Sequence, residues 1–276
     1  MNLIDYHVHT TFSEDGVSTP EACAKAAAGR NLSGIIFTEH LEFIPPPDSP
    51  EPAYVPARVL PAREYGLAVA AVREQWRGRL SVGLGVELGL EPHNLDAVPG
   101  YLATAELPLD YVLGSLHFIR GVLVQEPAFA DRLGPTEAAR LYFERLLTGV
   151  KRASSLGVCD VIGHFDLVKR SPTFGGFRLR DQRVHVEETL RVIIRGGLGL
   201  EVNTSGLRQS PGEPYPGLDT LKLYRELGGE IVTVGSDSHT AATVGLGSAE
   251  ALEFIRASGF RHITLFSGRT PRRVAI

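Results

Sequence analysis

Along this chain, short unbroken runs of apolar residues alternate with longer stretches in which apolar positions return every third or fourth residue. The short runs fit strands buried on both faces, and the longer stretches fit helices with one face on a core. Strand-like runs lie at Leu3–Thr10, Ser33–Thr38, Ser81–Val86, Tyr111–Ser115, Val161–Gly163, Leu198–Val202, Ile231–Val234 and, last and short, His262–Phe266. A first helix is expected over Pro20–Arg30, with Thr19 as N-cap and Pro20 opening the first turn. Further helices are expected at Arg63–Trp76, Leu95–Leu102 (interrupted at Pro99), Thr136–Leu156, Asp181–Arg195, Leu218–Leu227 and Ala249–Ser258. Elsewhere the rhythm breaks. Phe43–Pro61 holds too many prolines for a regular helix or an inner strand and reads as an exposed excursion over one end of the fold. Lys169 to Arg180 is a basic loop with Gly175-Gly176 inside it.

Strand following helix following strand predicts a parallel sheet with crossover helices. About seven or eight such units suggest an α/β barrel of TIM type, with a doubly wound open sheet as the structural alternative. What favours the barrel is the position of the polar residues. His, Glu and Asp recur just past the C-terminal ends of nearly all the strands. An open sheet would spread them along a line, whereas a barrel gathers them at one mouth, where sites of this fold sit.

Composition narrows the class. At 276 residues the chain fits one large domain, residues 1–276. With 43% hydrophobic and 22% charged residues, it can bury a full core. A net charge of −4 provides no basic field for nucleic acid, so no nucleic-acid partner is expected. No apolar run is long enough for a membrane span, and no secretory leader is visible, so the expected compartment is the cytoplasm. Cys23 and Cys159 read as small core residues, not as a disulfide framework. No feature selects an oligomeric state.

The strand-end residues are His7, His9, Asp15, His40, Glu87, His117, His164, Asp237 and His239. His7 and His9, two apart on a strand, share a face and can reach one point. Each residue alone has a plain reading: a lone histidine as a satisfied polar group, Glu87 as a salt bridge, Asp237 as a helix cap. Together, so many imidazoles and carboxylates at one mouth would be costly without cations to pair them. The reading is a multinuclear metal site. His93, His185 and His262 lack this placement and read as structural or surface residues.

The motifs His7-Val8-His9-Thr10, Thr38-Glu39-His40, Glu87 after the third strand, Gly114-Ser115-Leu116-His117-Phe118, Gly163-His164-Phe165-Asp166-Leu167 and Gly235-Ser236-Asp237-Ser238-His239 occur in that order over nearly the whole chain. Together they resemble the polymerase and histidinol phosphatase (PHP) superfamily. The stretch Glu201–Leu207 and the following Tyr215-Pro216 resemble its stand-alone histidinol-phosphate phosphatase branch. The resemblance implies a distorted TIM-like (β/α)7 barrel with a trinuclear metal centre at its C-terminal face. It implies one ion on His7, His9, Glu87 and Asp237, a second on Glu87, His117 and His164, and a third on Asp15, His40 and His239. Members of this branch often carry His where Asp15 stands, and a carboxylate is a harder ligand that adds negative charge there. About two to three divalent transition-metal ions (Mn, Fe or Zn) are expected as cofactors.

The implied activity is hydrolysis of L-histidinol phosphate in histidine biosynthesis. A water bridging two cations would be acidified to hydroxide and would attack phosphorus in line. Glu87, Asp237 and His239 are the expected catalytic residues, with His239 or Asp237 protonating the leaving oxygen. The expected partner is a small-molecule phosphomonoester, held by Arg208, which follows the sixth strand, and by Arg178 and Lys169 in the basic loop. Asp48, Glu51 and Tyr54 in the excursion would wall the pocket off from polymers. The competing readings are a phosphoesterase for another monoester, a 3′–5′ exonuclease-like nuclease, and a non-catalytic scaffold. The negative net charge weighs against the nuclease, and the full ligand set against the scaffold. An amidohydrolase also opens with His-x-His, but its strand-end lysine has no counterpart here.

Overall fold

The structure is a computed structural model that describes residues 3–43, 59–131, 133–174 and 178–276. A seven-stranded parallel sheet forms its centre. The first four strands are β1 (Ile4–Val8), β2 (Gly34–Leu41), β3 (Ser81–Gly89) and β4 (Tyr111–Ser115). The helices between them are α1 (Pro20–Gly29), α2 (Ala62–Gln75) and α3 (Pro92–Ala105). Thr19 caps α1 as expected, accepting a hydrogen bond from the Ala22 N–H at 3.3 Å. Helix α3 starts ahead of its expected position and runs through Pro99 instead of breaking there. Pro99 removes one backbone donor, while Leu95 and Val98 are buried and anchor the helix on the sheet.

A hairpin that sequence reading missed follows β4, formed by β5 (Phe118–Ile119) and β6 (Val122–Leu123). Arg120 and Gly121, both at positive φ, make its turn. Then come α4 (Pro127–Asp131), α5 (Pro135–Leu156), β7 (Val161–Ile162), α6 (Arg183–Arg195), β8 (Gly199–Asn203), α7 (Leu218–Glu226), β9 (Val232–Gly235) and α8 (Ser248–Ala257). Helix α5 buries Ala139, Tyr142, Phe143, Leu146 and Val150, the spacing of a single helical face.

The sheet runs β1-β2-β3-β4-β7-β8-β9. It closes as a barrel with a thin seam: Val8 bridges Ser238 in parallel, and the His9 N–H donates to the Ser238 carbonyl at 2.8 Å. The last run, β10 (His262–Ser267), is not an eighth barrel strand. It pairs antiparallel with β11 (Thr270–Ala275), through a turn with Gly268 and Arg269 at positive φ. This hairpin packs against the N-terminal end of the barrel. The Phe266 N–H donates to the Tyr6 hydroxyl at 2.7 Å, and the rings of Tyr6, Tyr111 and Phe266 pack together. That end is therefore plugged with apolar side chains and the opposite end is left for polar ones. Of the expected excursion Phe43–Pro61, residues 44–58 fall outside the described residues, as does Gly175-Gly176. No helix among the described residues is long and apolar enough to cross a membrane.

Candidate metal centre

Each of the expected ligand residues arrives at the C-terminal mouth, and Glu87 sits at their middle. Its Oε1 lies 3.0 Å from His164 Nε2, 3.2 Å from His117 Nε2 and 3.3 Å from His7 Nε2. Its Oε2 lies 3.0 Å from His40 Nδ1 and 3.4 Å from His9 Nε2. Asp237 Oδ1 is 3.6 Å from His7 Nε2 and 3.7 Å from His9 Nε2. Asp15 reaches His239 Nε2 at 3.0 Å and His40 Nε2 at 3.6 Å. Asp237 adopts a left-handed backbone, φ +52°, which Asp tolerates better than most residues. A side chain on Gly235 would place its Cβ 2.0 Å from Glu201 Oε1 and 2.5 Å from the His7 Cβ, so the site needs glycine there.

Behind these residues stands a second layer that orients them. Glu201 Oε1 is 2.7 Å from His7 Nδ1, and Glu201 Oε2 accepts the His164 N–H at 2.9 Å. Ser13 Oγ is 3.1 Å from His9 Nδ1 and donates to Glu39 Oε2 at 2.6 Å. Glu42 Oε1 is 2.7 Å from His117 Nδ1. In each case an outer oxygen takes Nδ1–H and so turns the Nε2 lone pair inward, the arrangement typical of metal-bound histidine. The Ser236 hydroxyl donates to buried Asp5 at 2.6 Å, which steadies the turn carrying Asp237.

The residues present fit a group of cations. His7 Nε2 and His9 Nε2 are 3.0 Å apart, and His117 Nε2 and His164 Nε2 are 3.2 Å apart. With Nδ1–H spent outward, the lone pairs of His7 and His9 would repel across that gap unless a cation accepts them. The spacing matches the edge of a coordination polyhedron, about 2.9 to 3.4 Å for nitrogen ligands bound at 2.0–2.1 Å. Glu87 Oε2 and His40 Nδ1 lie 3.0 Å apart but out of hydrogen-bond alignment, so both, like His164 Nδ1, are buried without a hydrogen-bond partner among the described residues. Ligand atoms converge in the sets His7–Glu87–His164, His7–His9–Asp237, His9–His40–His239 and His40–Glu42–His117. Only His7–His9–Asp237 falls within one ion of the grouping the resemblance implies; the others join His7 to His164, place His9 near the outer pair and add Glu42.

Electrostatics follow the crowding. Burial opposes charge on Glu87, yet the neighbouring His7 and His117 hold its carboxyl well below the usual range. Burial opposes charge on Asp237 too, and His7 and Arg170 reverse it. His9 is pushed well below the usual imidazole range by burial and by His40 and His239. His7 moves the other way, because Glu201 and Glu87 outweigh its burial.

Above this floor opens a cavity of about 170 Å³, lined in part by Phe12, Glu42, Phe118, Gln125, Arg170 and Asp237. The expected phosphate-binding residues lie elsewhere or behind it. Arg208 does not line this cavity; its guanidinium donates to the Ser236 carbonyl at 2.7 Å. Lys169 is taken up by Asp166 at 3.0 Å and Glu213 at 2.7 Å, and Arg178 lies beside that pair in a separate hollow. Among the described residues, the Lys or Arg that does face the cavity is Arg170, which donates to Asp237 Oδ2 at 2.8 Å and to Gln125 at 2.7 Å. His93 reaches the Phe43 carbonyl at 3.1 Å, His185 lies 3.6 Å from Glu144, and His262 is exposed, so these three keep their structural reading.

Comparisons with known proteins agree with this geometry. A family model described as the PHP domain matches residues 5–205. A Deinococcus radiodurans protein named a probable histidinol-phosphatase is 33% identical over 95% of this chain and 96% of its own length. The histidinol-phosphatase of Lactococcus lactis is 25% identical, over 97% of this chain and 96% of its own length. A crystal structure of the Lactococcus lactis histidinol phosphate phosphatase, complexed with zinc, L-histidinol and phosphate, matches at a TM-score of 0.85 and 26% identity. That match covers 98% of this chain and 99% of the other.

Proposed function

The chain belongs to the PHP domain family, and from that premise we propose that it is a metal-dependent phosphatase hydrolysing L-histidinol phosphate to L-histidinol and phosphate. The observation that carries this reading is the convergence of imidazoles and carboxylates on Glu87, beneath a cavity sized for a small molecule. His7, His9, Glu87 and Asp237 would hold one ion; Glu87, His117 and His164 a second; Asp15, His40 and His239 a third. Mixed nitrogen and oxygen donors suit Zn, Mn or Fe. Divalent cations, when bound, supply an acidified water and neutralise charge on the phosphoryl oxygens.

The chain's own residues do the rest. Arg170 offers the cavity a planar guanidinium, whose forked N–H groups match phosphoryl oxygens. Arg208 stands behind it and grips the Ser236 carbonyl, which supports the turn carrying Asp237. His239, held toward its protonated form by Asp15 and Asp237, would supply the proton that the leaving oxygen needs. Phe12, Phe118 and Leu123 line the cavity with apolar surface that limits competing water. A biosynthetic role in the cytoplasm is consistent with this chemistry.

The test is phosphate release by purified protein supplied with Mn, Fe, Zn or Mg, over L-histidinol phosphate, a panel of other phosphomonoesters and single-stranded DNA. L-Histidinol phosphate is expected to be the preferred substrate, and chelation to remove activity. Equal turnover of DNA would make the protein a nuclease instead. Arg170→Ala is expected to lower kcat/KM by about 10²–10³, roughly 3–4 kcal/mol of transition-state stabilisation, and Arg208→Ala by about tenfold.

A further inference from the structure

Glu42 is not among the residues the sequence motifs mark, yet it occupies a distinctive place. It follows β2, lies 2.7 Å from His117 Nδ1 and lines the cavity next to Phe118. Arg170 lies across the mouth, following β7 and bonded to Asp237 beyond β9. In the barrel order β9 adjoins β8 and, across the seam, β1, so the cation stands on the β7–β9 side and Glu42 on the β2–β4 side. The cavity is thus positive at one wall and negative at the other. A second carboxyl group, Glu91, lies behind Glu42: both approach Gly89, and Glu91 accepts the Phe118 N–H at 2.9 Å.

Resting on the histidinol-phosphatase reading, we infer that Glu42 is a specificity residue that binds the substrate's ammonium group while its other edge steadies His117. L-Histidinol phosphate carries that ammonium on the carbon next to the ester carbon. A phosphoryl group drawn to Arg170 and the floor therefore leaves the ammonium within the same small cavity. Among the described residues, the other acidic side chains on the wall are less suited. Asp15 is 59% exposed at its side chain and engaged by two imidazoles, and Glu14 is exposed. Glu42 is 12% exposed, so water screens its charge far less. Phe118 and Leu123 beside it give apolar surface for the imidazole end.

The experiment compares two substrates that differ only in the amine, L-histidinol phosphate and 3-(imidazol-4-yl)propyl phosphate. Wild type and Glu42→Gln are assayed, with bound metal measured in both. Gln keeps an oxygen acceptor for His117 Nδ1–H and removes the charge. Any loss through His117 affects both substrates alike, so the ratio of their kcat/KM values reports the ammonium alone. Wild type is expected to favour L-histidinol phosphate. Glu42→Gln should cut that preference at least about tenfold and weaken inhibition by L-histidinol by a similar factor, the scale of one hydrogen bond to a charged group. An unchanged ratio with lowered rates on both substrates would reduce Glu42 to a positioning residue and overturn the inference. A wild type indifferent to the amine would likewise overturn the inference, whereas no turnover of L-histidinol phosphate by the metal-loaded wild type would overturn the histidinol-phosphatase reading itself.

Discussion

The floor and the rim of the mouth are built from the same residue types but held in different ways. On the floor, His7, His9 and Glu87 have no exposed surface, and each of the two histidines is fixed from behind by Glu201 or by Ser13 and Glu39. On the rim, His40 and His239 have side chains 26% and 27% exposed, and the carboxylate joining them, Asp15, is 59% exposed. Floor geometry is preorganised by buried hydrogen bonds in low dielectric, where each bond counts for more. Rim geometry depends on a solvated carboxylate whose hold is screened. Ions at the floor should therefore bind tightly and persist through purification, and an ion at the rim should exchange.

The sharpest way to break this contrast is at Glu87, whose two carboxylate oxygens reach floor and rim at once, Oε1 at His7 and Oε2 at His40. Glu87→Gln is expected to release metal from the floor and lower kcat/KM by about 10⁴ or more, read by elemental analysis and phosphate release. A variant that keeps its metal and near-normal turnover would show that Glu87 joins nothing. Next in size is Glu201→Gln. It touches no expected ion, yet it orients His7 and the His164 backbone, so floor-metal affinity should fall about 10–100-fold in a competition titration with a chelator. Asp15→Asn should remove about one equivalent of metal, leave the floor ions in place and lower the rate about tenfold. Equal loss from floor and rim would mean the two are a single unit. Smallest is Ser13→Ala, which breaks the link from His9 to Glu39. A few-fold rise in metal off-rate is expected, with little change in stoichiometry.

The clustering of these His, Glu and Asp residues was legible because parallel strands deliver side chains to one end, and a His or Glu following an apolar run marks that end without a structure. The barrel was legible only as the better of two topologies; the seam from Val8 to Ser238 decides it. What stayed hidden depends on chain direction over a few residues. Lys169 and Arg170 are neighbours in a 3₁₀ turn, Leu167–Arg170, and the turn sends Lys169 to Glu213 and Arg170 to Asp237. No periodicity reveals which of two adjacent cations faces a cavity. Glu42 was hidden for the same reason, one acid among several near His40. The β5–β6 hairpin has strands too short to show alternation, and β11 is polar and exposed, so β10 read as a lone strand.

The thin seam has a bearing on how the protein is made. Asp5 and Ser236, which meet there at 2.8 Å, are 231 positions apart. At about 5–20 residues per second, the ribosome delivers the second edge some tens of seconds after the first. For that interval His7 and His9 are out of the tunnel with no Asp237 to complete their set, and the edge of β1 has no neighbour on one side. The nascent chain therefore carries half of the His and Asp cluster and an open strand edge while the intervening residues are made, the state most exposed to stray metals and to mispairing. Chains stalled just before Gly235 should accordingly be recovered with little bound metal, and those stalled well past His239 with the full complement.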